Sequence, residues 1–305
     1  GRVRFAHGGV GRNIAEALAA LGCDAAMVGA VGRDDAGGAL LAALEARGVR
    51  TRAVRRVEGA RTQVVACVFG VNGDLHVGVA DTAITEAGVS AEWVRSTASH
   101  ALEGAAWVVL DANLDADALL AAADAAASTG AKLWLEPVSV AKAARVVPAL
   151  GVAAAVSPNA AELAVLTEAV GGAAQASELR DALLRAGGDH RAPVAAVAAA
   201  ANVLLGAGVQ VVLTTLGSRG ALLSSREAAS CEGGARRASV SHVHVGVAPD
   251  VRVANVSGAG DCQVAAIIAS LAAGAPLGEA ARRGAAAAAL AVECATANVP
   301  PALGA

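Results

Sequence analysis

Asn255-Val-Ser-Gly-Ala-Gly-Asp261 places two glycines and a carboxylate where an apolar run, residues 251 to 256, gives way to an Ala-rich helical pattern. The first turn of a helix exposes N–H groups without intrahelical acceptors at the positive end of the dipole. Glycine lets an anion come close to such backbone, so Gly258, Ala259 and Gly260 read as an anion cradle. A carboxylate inside an anion cradle repels the anion, so Asp261 needs another task. It can act as general base, taking a proton from a hydroxyl that attacks a phosphoryl group held on the N–H groups. The competing reading makes Asp261 a helix cap.

A second constellation is Ser157-Pro-Asn-Ala-Ala-Glu162, at a strand end opening a helix. Asn159 and Glu162 are three apart, share a helix face and offer hard oxygens suited to a hydrated magnesium ion. The same spacing is that of a capping box. Thr214-Thr-Leu-Gly-Ser-Arg-Gly220 is a third glycine turn at a strand end, and an ordinary hairpin also explains it.

These turns require a scaffold of strands ending on one side. Residues 107 to 111, 132 to 136 and 153 to 157 read as short buried parallel strands, each followed by a helix, over 115 to 128, 139 to 149 and 160 to 169. Residues 210 to 217 continue the sheet and 220 to 224 return antiparallel. A strand over 251 to 256 leads into the cradle, followed by helices over 260 to 273 and 277 to 295. Upstream, 11 to 21 reads as a helix, 25 to 31 as a buried strand, and the segment from Asp34 to Gly48 as a helix with its stop. Residues 51 to 80 are short β-branched segments broken at Glu58-Gly59 and Asn72-Gly73, a small sheet outside the main layers. Residues 171 to 192 and 226 to 250 read as polar excursions. The alternation implies an α/β sandwich with right-handed crossovers.

Composition narrows the partners. The 305 residues carry a net charge of −3, no tyrosine, two phenylalanines and three tryptophans. That excludes base-stacking platforms and gives no electrostatic reason for nucleic acid or an anionic membrane. Five dispersed cysteines without a CxxC pair suit reduced thiols in a cytosol-like compartment. Trp107 and Trp134 read as core. His76, His100, His190, His242 and His244 have no metal spacing, and Cys262 reads as packing.

Taken in order, these segments resemble the PfkB family of carbohydrate and nucleoside kinases. His7-Gly-Gly-Val-Gly-Arg-Asn13 is similar to the family's N-terminal signature, and residues 28 to 37 to its G-x-D-x-x-G continuation. Ser157 to Glu162 is similar to its N-x-x-E, Thr214 to Gly220 to its nucleotide turn, and Ser257 to Asp261 to its G-A-G-D. The resemblance implies a ribokinase-like three-layer α/β/α sandwich with a mainly parallel central sheet and a small β lid. The core is then 1–50 and 81–305, and the lid 51–80. It implies Gly8, Gly9 and Asn13 at the substrate, Thr215, Gly217, Gly220 and Asn298 at ATP, Asn159 and Glu162 at Mg2+, and Asp261 as base. Residues 111 to 114 (DANL) and 134 to 143 (WLEPVSVAKA) further resemble the pseudouridine kinase subgroup, which adds Asn113 to the substrate contacts. The implied reaction is ATP-dependent phosphorylation of pseudouridine at its 5′-hydroxyl. The implied partners are the nucleoside or sugar substrate, a second copy through the lid, and a pseudouridine-5′-phosphate glycosidase, fused or separate.

Two departures bear on this. The family's first strand, with its early substrate-binding aspartate, has no counterpart here, so organellar targeting stays open beside a cytoplasmic location. Asn255 stands where ribokinases carry an aspartate near a monovalent cation, which leaves backbone carbonyls for K+. The rival readings are another PfkB sugar or nucleoside kinase and a non-catalytic ribokinase-like binding protein. A dinucleotide-binding oxidoreductase is a weaker rival, because Ile14 stands where its third glycine belongs.

Overall fold

The computed structural model describes residues 5–69, 75–187, 193–226, 230–232, 235–237, 239–248 and 250–304. The Asn72-Gly73 turn and His190 lie outside them. Along the chain, helix α1 (Val10–Ala20) precedes strand β1 (Ala26–Gly32), helix α2 (Asp35–Ala46) and strand β2 (Arg50–Val57). Strands β3 (Val64–Phe69) and β4 (Leu75–Asp81) lead to helices α3 (Ala83–Gly88) and α4 (Ala91–Ala101). Then come β5 (Trp107–Asp111), α5 (Ala116–Thr129), β6 (Lys132–Glu136), β7 (Ala155–Val156), α6 (Ala160–Ala169), α7 (Ala173–Ala186) and α8 (Val194–Gly206). The remainder is β8 (Val211–Thr215), β9 (Ala221–Arg226), β10 (Ser230–Glu232), β11 (Ala235–Arg237), β12 (Val240–Val245), α9 (Ala259–Ala272) and α10 (Leu277–Glu293).

The chain divides into two compact units: Gly1–Glu103 with Asn113–Ala118 and Ala248–Ala305, and Gly104–Ala112 with Leu119–Val247. The second unit holds a six-stranded sheet in the order β12-β9-β8-β7-β6-β5. Strands β5 to β8 run parallel, β9 is antiparallel to β8, and β12 is antiparallel to β9. Asp111 and Glu136 are register partners at the ends of β5 and β6. The sheet is buried through residues such as Leu135, Val156, Val212 and Leu213. Helices α6, α7 and α8 pack on one another, and α8 lies against β8 and β9.

In the first unit β1 and β2 form a parallel pair and β3 and β4 an antiparallel one. The expected sheet over 51 to 80 is thus two pairings, because residues 50–57 find their partners in β1. Helix α9 packs between α1 and α10.

Four expectations change. Residues 173–186, expected as an excursion, form α7. Its polar residues lie outside, while Ala176, Leu179 and Ala182 make one buried stripe. Residues 240–245 are an edge strand rather than part of an excursion. Ala143–Val152 is a 3-10 helix, not an α-helix, since Pro148 has no N–H for an i−4 bond. Residues 251 to 256 are no strand: the N–H groups of Ala254 and Asn255 both bond Val292 O at the end of α10.

Candidate active site

In the first unit the cradle is built by tight packing of a loop on a helix start. Gly258 sits at φ 83, immediately before α9. A Cβ there would lie 2.3 Å from Asn298 O, so both conformation and space require glycine. Gly260, one position into the first turn, has no atom within 4 Å of an added Cβ. Packing therefore gives no reason for a glycine at 260, whereas close approach of an anion does. Asp261 follows in the same turn and is half-buried.

The packing of α1 on α9 brings the N-terminal glycine segment to this turn. Asn13 Nδ2 donates to Asp261 Oδ2 at 2.7 Å, across 248 residues of sequence. Asn13 Oδ1 accepts from Arg12 Nη1 at 2.7 Å. Arg12 in turn forms an ion pair with Glu16, one helical turn on. Arg12 Nη1 also donates to His7 O at 3.2 Å, and Asn298 Nδ2 donates to the same oxygen at 3.0 Å. A Cβ on Gly8 would lie 3.4 Å from Asn298 Nδ2. Gly8, Asn13, Gly258, Asp261 and Asn298 are therefore neighbours. Burial pushes the Arg12 guanidinium below its ordinary value against the pull of Glu16, and it stays charged because its ordinary value is so high. Burial first, then the Asp261 charge, push the Cys262 thiol up to about 12, so it is packing and not a nucleophile. Asn255 Oδ1 accepts from Ser257 N at 3.0 Å, closing the turn before the cradle. Asn113, in the turn after β5, belongs to the same unit and is half-buried.

In the second unit the ends of β6, β7 and β8 carry the other residues. Ser157 Oγ bonds the Glu136 carboxylate and accepts from Trp134 Nε1, with Glu136 only 9% exposed. Asn159 and Glu162 form a complete capping box: Glu162 N donates to Asn159 Oδ1 at 2.8 Å, and Asn159 N donates to Glu162 Oε2 at 2.9 Å. Thr215 N donates to Pro158 O at 3.0 Å, which puts Thr215 beside Asn159. Gly217 and Gly220 share one tight turn, where a Cβ on Gly220 would lie 2.0 Å from Val245 O. That turn is thus pinned against β12. Among the described residues no cluster of three or more His, Cys, Asp or Glu could hold a metal alone. A magnesium site here would therefore complete its shell with water and phosphate oxygens, as this ion commonly does.

The G-x-D-x-x-G segment has a structural task. Asp34 accepts from Gly37 N at 2.8 Å as the cap of α2, and from Thr62 N at 2.8 Å and Thr62 Oγ1 at 2.5 Å. It clasps the approach to β3 onto the start of α2. The Thr62 hydroxyl, then the Thr62 and Gly37 N–H groups, hold its carboxyl at about 2.

Sequence reasoning gave no individual role to Arg12, Glu16, Glu136 or Ser157. The Arg-x-x-x-Glu spacing on one helix was the available signal for the first pair. Nothing in the sequence showed that this pair would be buried. Trp134, 1% exposed, is core as expected, with Trp107 at 6.1 Å between ring centroids. His242 and His244 bond Ser224 Oγ and Arg219 O on and beside the sheet.

The chain matches the pfkB family carbohydrate kinase profile over residues 1–302. A pseudouridine kinase of Arabidopsis thaliana is 32% identical over 334 aligned residues, covering 99% of this chain and 85% of that protein. A pseudouridine kinase of Escherichia coli (strain K12) is 32% identical over 167 residues, 55% of this chain and 52% of its own. The structure of Arabidopsis thaliana ribokinase complexed with ribose and ATP superposes with a TM-score of 0.70 at 22% identity, over 96% of this chain and 84% of that one. That likeness shows a shared ribokinase-like fold.

Proposed function

Because this chain belongs to the pfkB family of carbohydrate kinases and is an ATP-dependent kinase, we propose that it phosphorylates the 5′-hydroxyl of pseudouridine with Asp261 as base. The observation that carries the chemistry is the 2.7 Å bond from Asn13 to Asp261, which fixes a carboxylate beside an open glycine turn. The substrate rests on the 32% identity to a pseudouridine kinase over 99% of the chain.

In this reading Gly8 and Asn13 face the ribose, and Asn113 contacts the nucleoside. Asp261 takes the proton of the attacking hydroxyl as the new O–P bond forms and ADP leaves. The first-turn N–H groups at Gly258, Ala259 and Gly260 stabilise the charge on the phosphoryl oxygens. Thr215, Gly217, Gly220 and Asn298 contact ATP. Magnesium, when bound, neutralises phosphate charge, and Asn159 and Glu162 order its water while holding the start of α6. A bound K+ would be held by backbone carbonyls, since Asn255 Oδ1 is engaged by Ser257 N.

Residues 51–80 form the lid in this reading. On β3 and β4, Val64, Val68, Val77 and Val79 share one face and are all more than half exposed, which supports pairing with a second copy through that face. The product would feed a pseudouridine-5′-phosphate glycosidase. No helix among the described residues is long and apolar enough to cross a membrane. The dispersed cysteines, none in a CxxC pair, favour a reducing, cytoplasmic location.

A coupled ADP-release assay over pseudouridine, uridine, adenosine, ribose and fructose 6-phosphate tests the proposal. Pseudouridine should give the highest kcat/KM, and preference for a hexose would overturn it.

A further inference from the structure

The proposed base must meet its hydroxyl ionised and with one oxygen directed at it. An amide can present either its NH2 or its oxygen to a carboxylate, and only the NH2 stabilises the charge. Whatever fixes that choice at Asn13 therefore governs Asp261. Arg12 fixes it. Its Nη1 donates to Asn13 Oδ1 at 2.7 Å, and a guanidinium has no acceptor to offer. The Asn13 oxygen is thereby committed to Arg12, and its NH2 is left for Asp261 Oδ2 at 2.7 Å.

Arg12 is itself held on several sides. Glu16 pairs with it, His7 O accepts from it at 3.2 Å, and Arg47 Nε stands 3.4 Å from Glu16 on the far side. Arg12, Asn13 and Glu16 are 8%, 4% and 5% exposed. A buried guanidinium–carboxylate pair is costly to desolvate and contributes little net stability. Its presence against the amide that meets the base calls for a reason other than stability.

We propose that Arg12, anchored by Glu16, is a positioning residue for the base: it sets the orientation of the Asn13 amide and so keeps Asp261 ionised and aligned. The inference rests on the reading of Asp261 as base. The ionisable groups coupled to Asp261 are Arg12 of α1 and Cys262 of α9; Glu16 and Arg47 act in turn on Arg12, and Glu16 and Cys294 on Cys262. Among these Arg12 favours the Asp261 carboxylate by charge and, through Asn13, by a hydrogen bond. Removing Arg12 and Glu16 together leaves the net charge there unchanged, so a move of the acid limb to higher pH would report loss of the oriented Asn13 hydrogen bond.

The test measures kcat between about pH 5 and 9 in the full chain. Arg12→Met alone would strand Glu16, so Arg12→Met/Glu16→Leu removes both charges together and preserves packing. The expected result is a folded protein with kcat about tenfold lower, ATP KM within about twofold, and an acid limb higher by about one pH unit, which is a tenfold effect. Arg12→Lys, which keeps a charged donor, should restore most of the limb. Should the double variant not fold, Asn13→Leu removes the donor while leaving the Arg12–Glu16 pair, and should move the limb the same way. A folded variant with the wild-type limb overturns the proposal, as does a fall in kcat with an unmoved limb that Arg12→Lys does not rescue. Asp261→Asn is measured in parallel. Near-normal turnover there sinks the base itself, whereas an inactive Asp261→Asn with unmoved limbs in the other variants sinks only the positioning role.

Discussion

Gly260→Ala separates the cradle from the fold. The added methyl meets no atom within 4 Å, and Gly260 is not among the glycines with positive φ. Alanine is a better helix former than glycine, so the variant should be as stable as the parent or more stable by up to about 1 kcal/mol. In the proposed mechanism the methyl would take the space through which a phosphoryl oxygen reaches the first-turn N–H groups. Losing one such donor in a phosphoryl or acyl transfer costs about a hundredfold or more in kcat. Gly258→Ala is the contrast. There the methyl would stand 2.3 Å from Asn298 O at a φ of 83. The left-handed conformation costs about 1–2 kcal/mol, and the contact must open by about 1 Å to become ordinary. A loss of roughly 2–8 °C in Tm should accompany its loss of turnover. Thermal melts and the ADP-release assay on both variants read the difference. If Gly260→Ala keeps full turnover, no anion uses the space over that turn, and the cradle is only a helix start.

Asp261→Asn should lower kcat by about two to four orders of magnitude with ATP KM little changed, and more than about a tenth of parental turnover would leave Asp261 a structural residue. Glu162→Gln keeps an oxygen that can accept from Asn159 N, so melting should be unchanged while the magnesium concentration for half-maximal rate rises; an unaltered magnesium titration would leave only the capping box. Asp34 has a folded value of about 2 against 3.8 for the free group, so the stability it contributes is present above about pH 4 and is lost as pH falls towards about 2. The Tm difference between the parent and Asp34→Asn should therefore shrink across that window, and a difference independent of pH would remove the charge from the clasp. Pseudouridine should exceed uridine in kcat/KM by about five- to 150-fold, the cost of about 1–3 kcal/mol for one buried hydrogen-bond partner left unpaired; equal values would place that ring N–H in solvent.

Local patterns were enough for the elements that end in glycine or carry strict apolar runs. The sequence marked β5 and β6 to the residue, marked the start of α6 through Asn159, and placed the start of α9 within one residue, at 260, because capping and turn chemistry act over three or four neighbours. It also placed Asp261 and Glu162 in the first turns of α9 and α6, where a carboxylate lies close to unpaired helix N–H groups. Where a segment's partners are distant, the same reasoning failed. Residues 251 to 256 have a strand's composition, yet their N–H groups turn to Val292 O. Residues 51–57 read as one small sheet with the strands that follow, yet they pair with β1. Arg12 is one more arginine in the sequence. Only the packing of α1 on α9 buries it, points its guanidinium at Asn13 and brings Asn13 to Asp261 across 248 residues. Hydrogen bonds of that kind depend on which surfaces meet, and no run of neighbours in the chain encodes that meeting by itself.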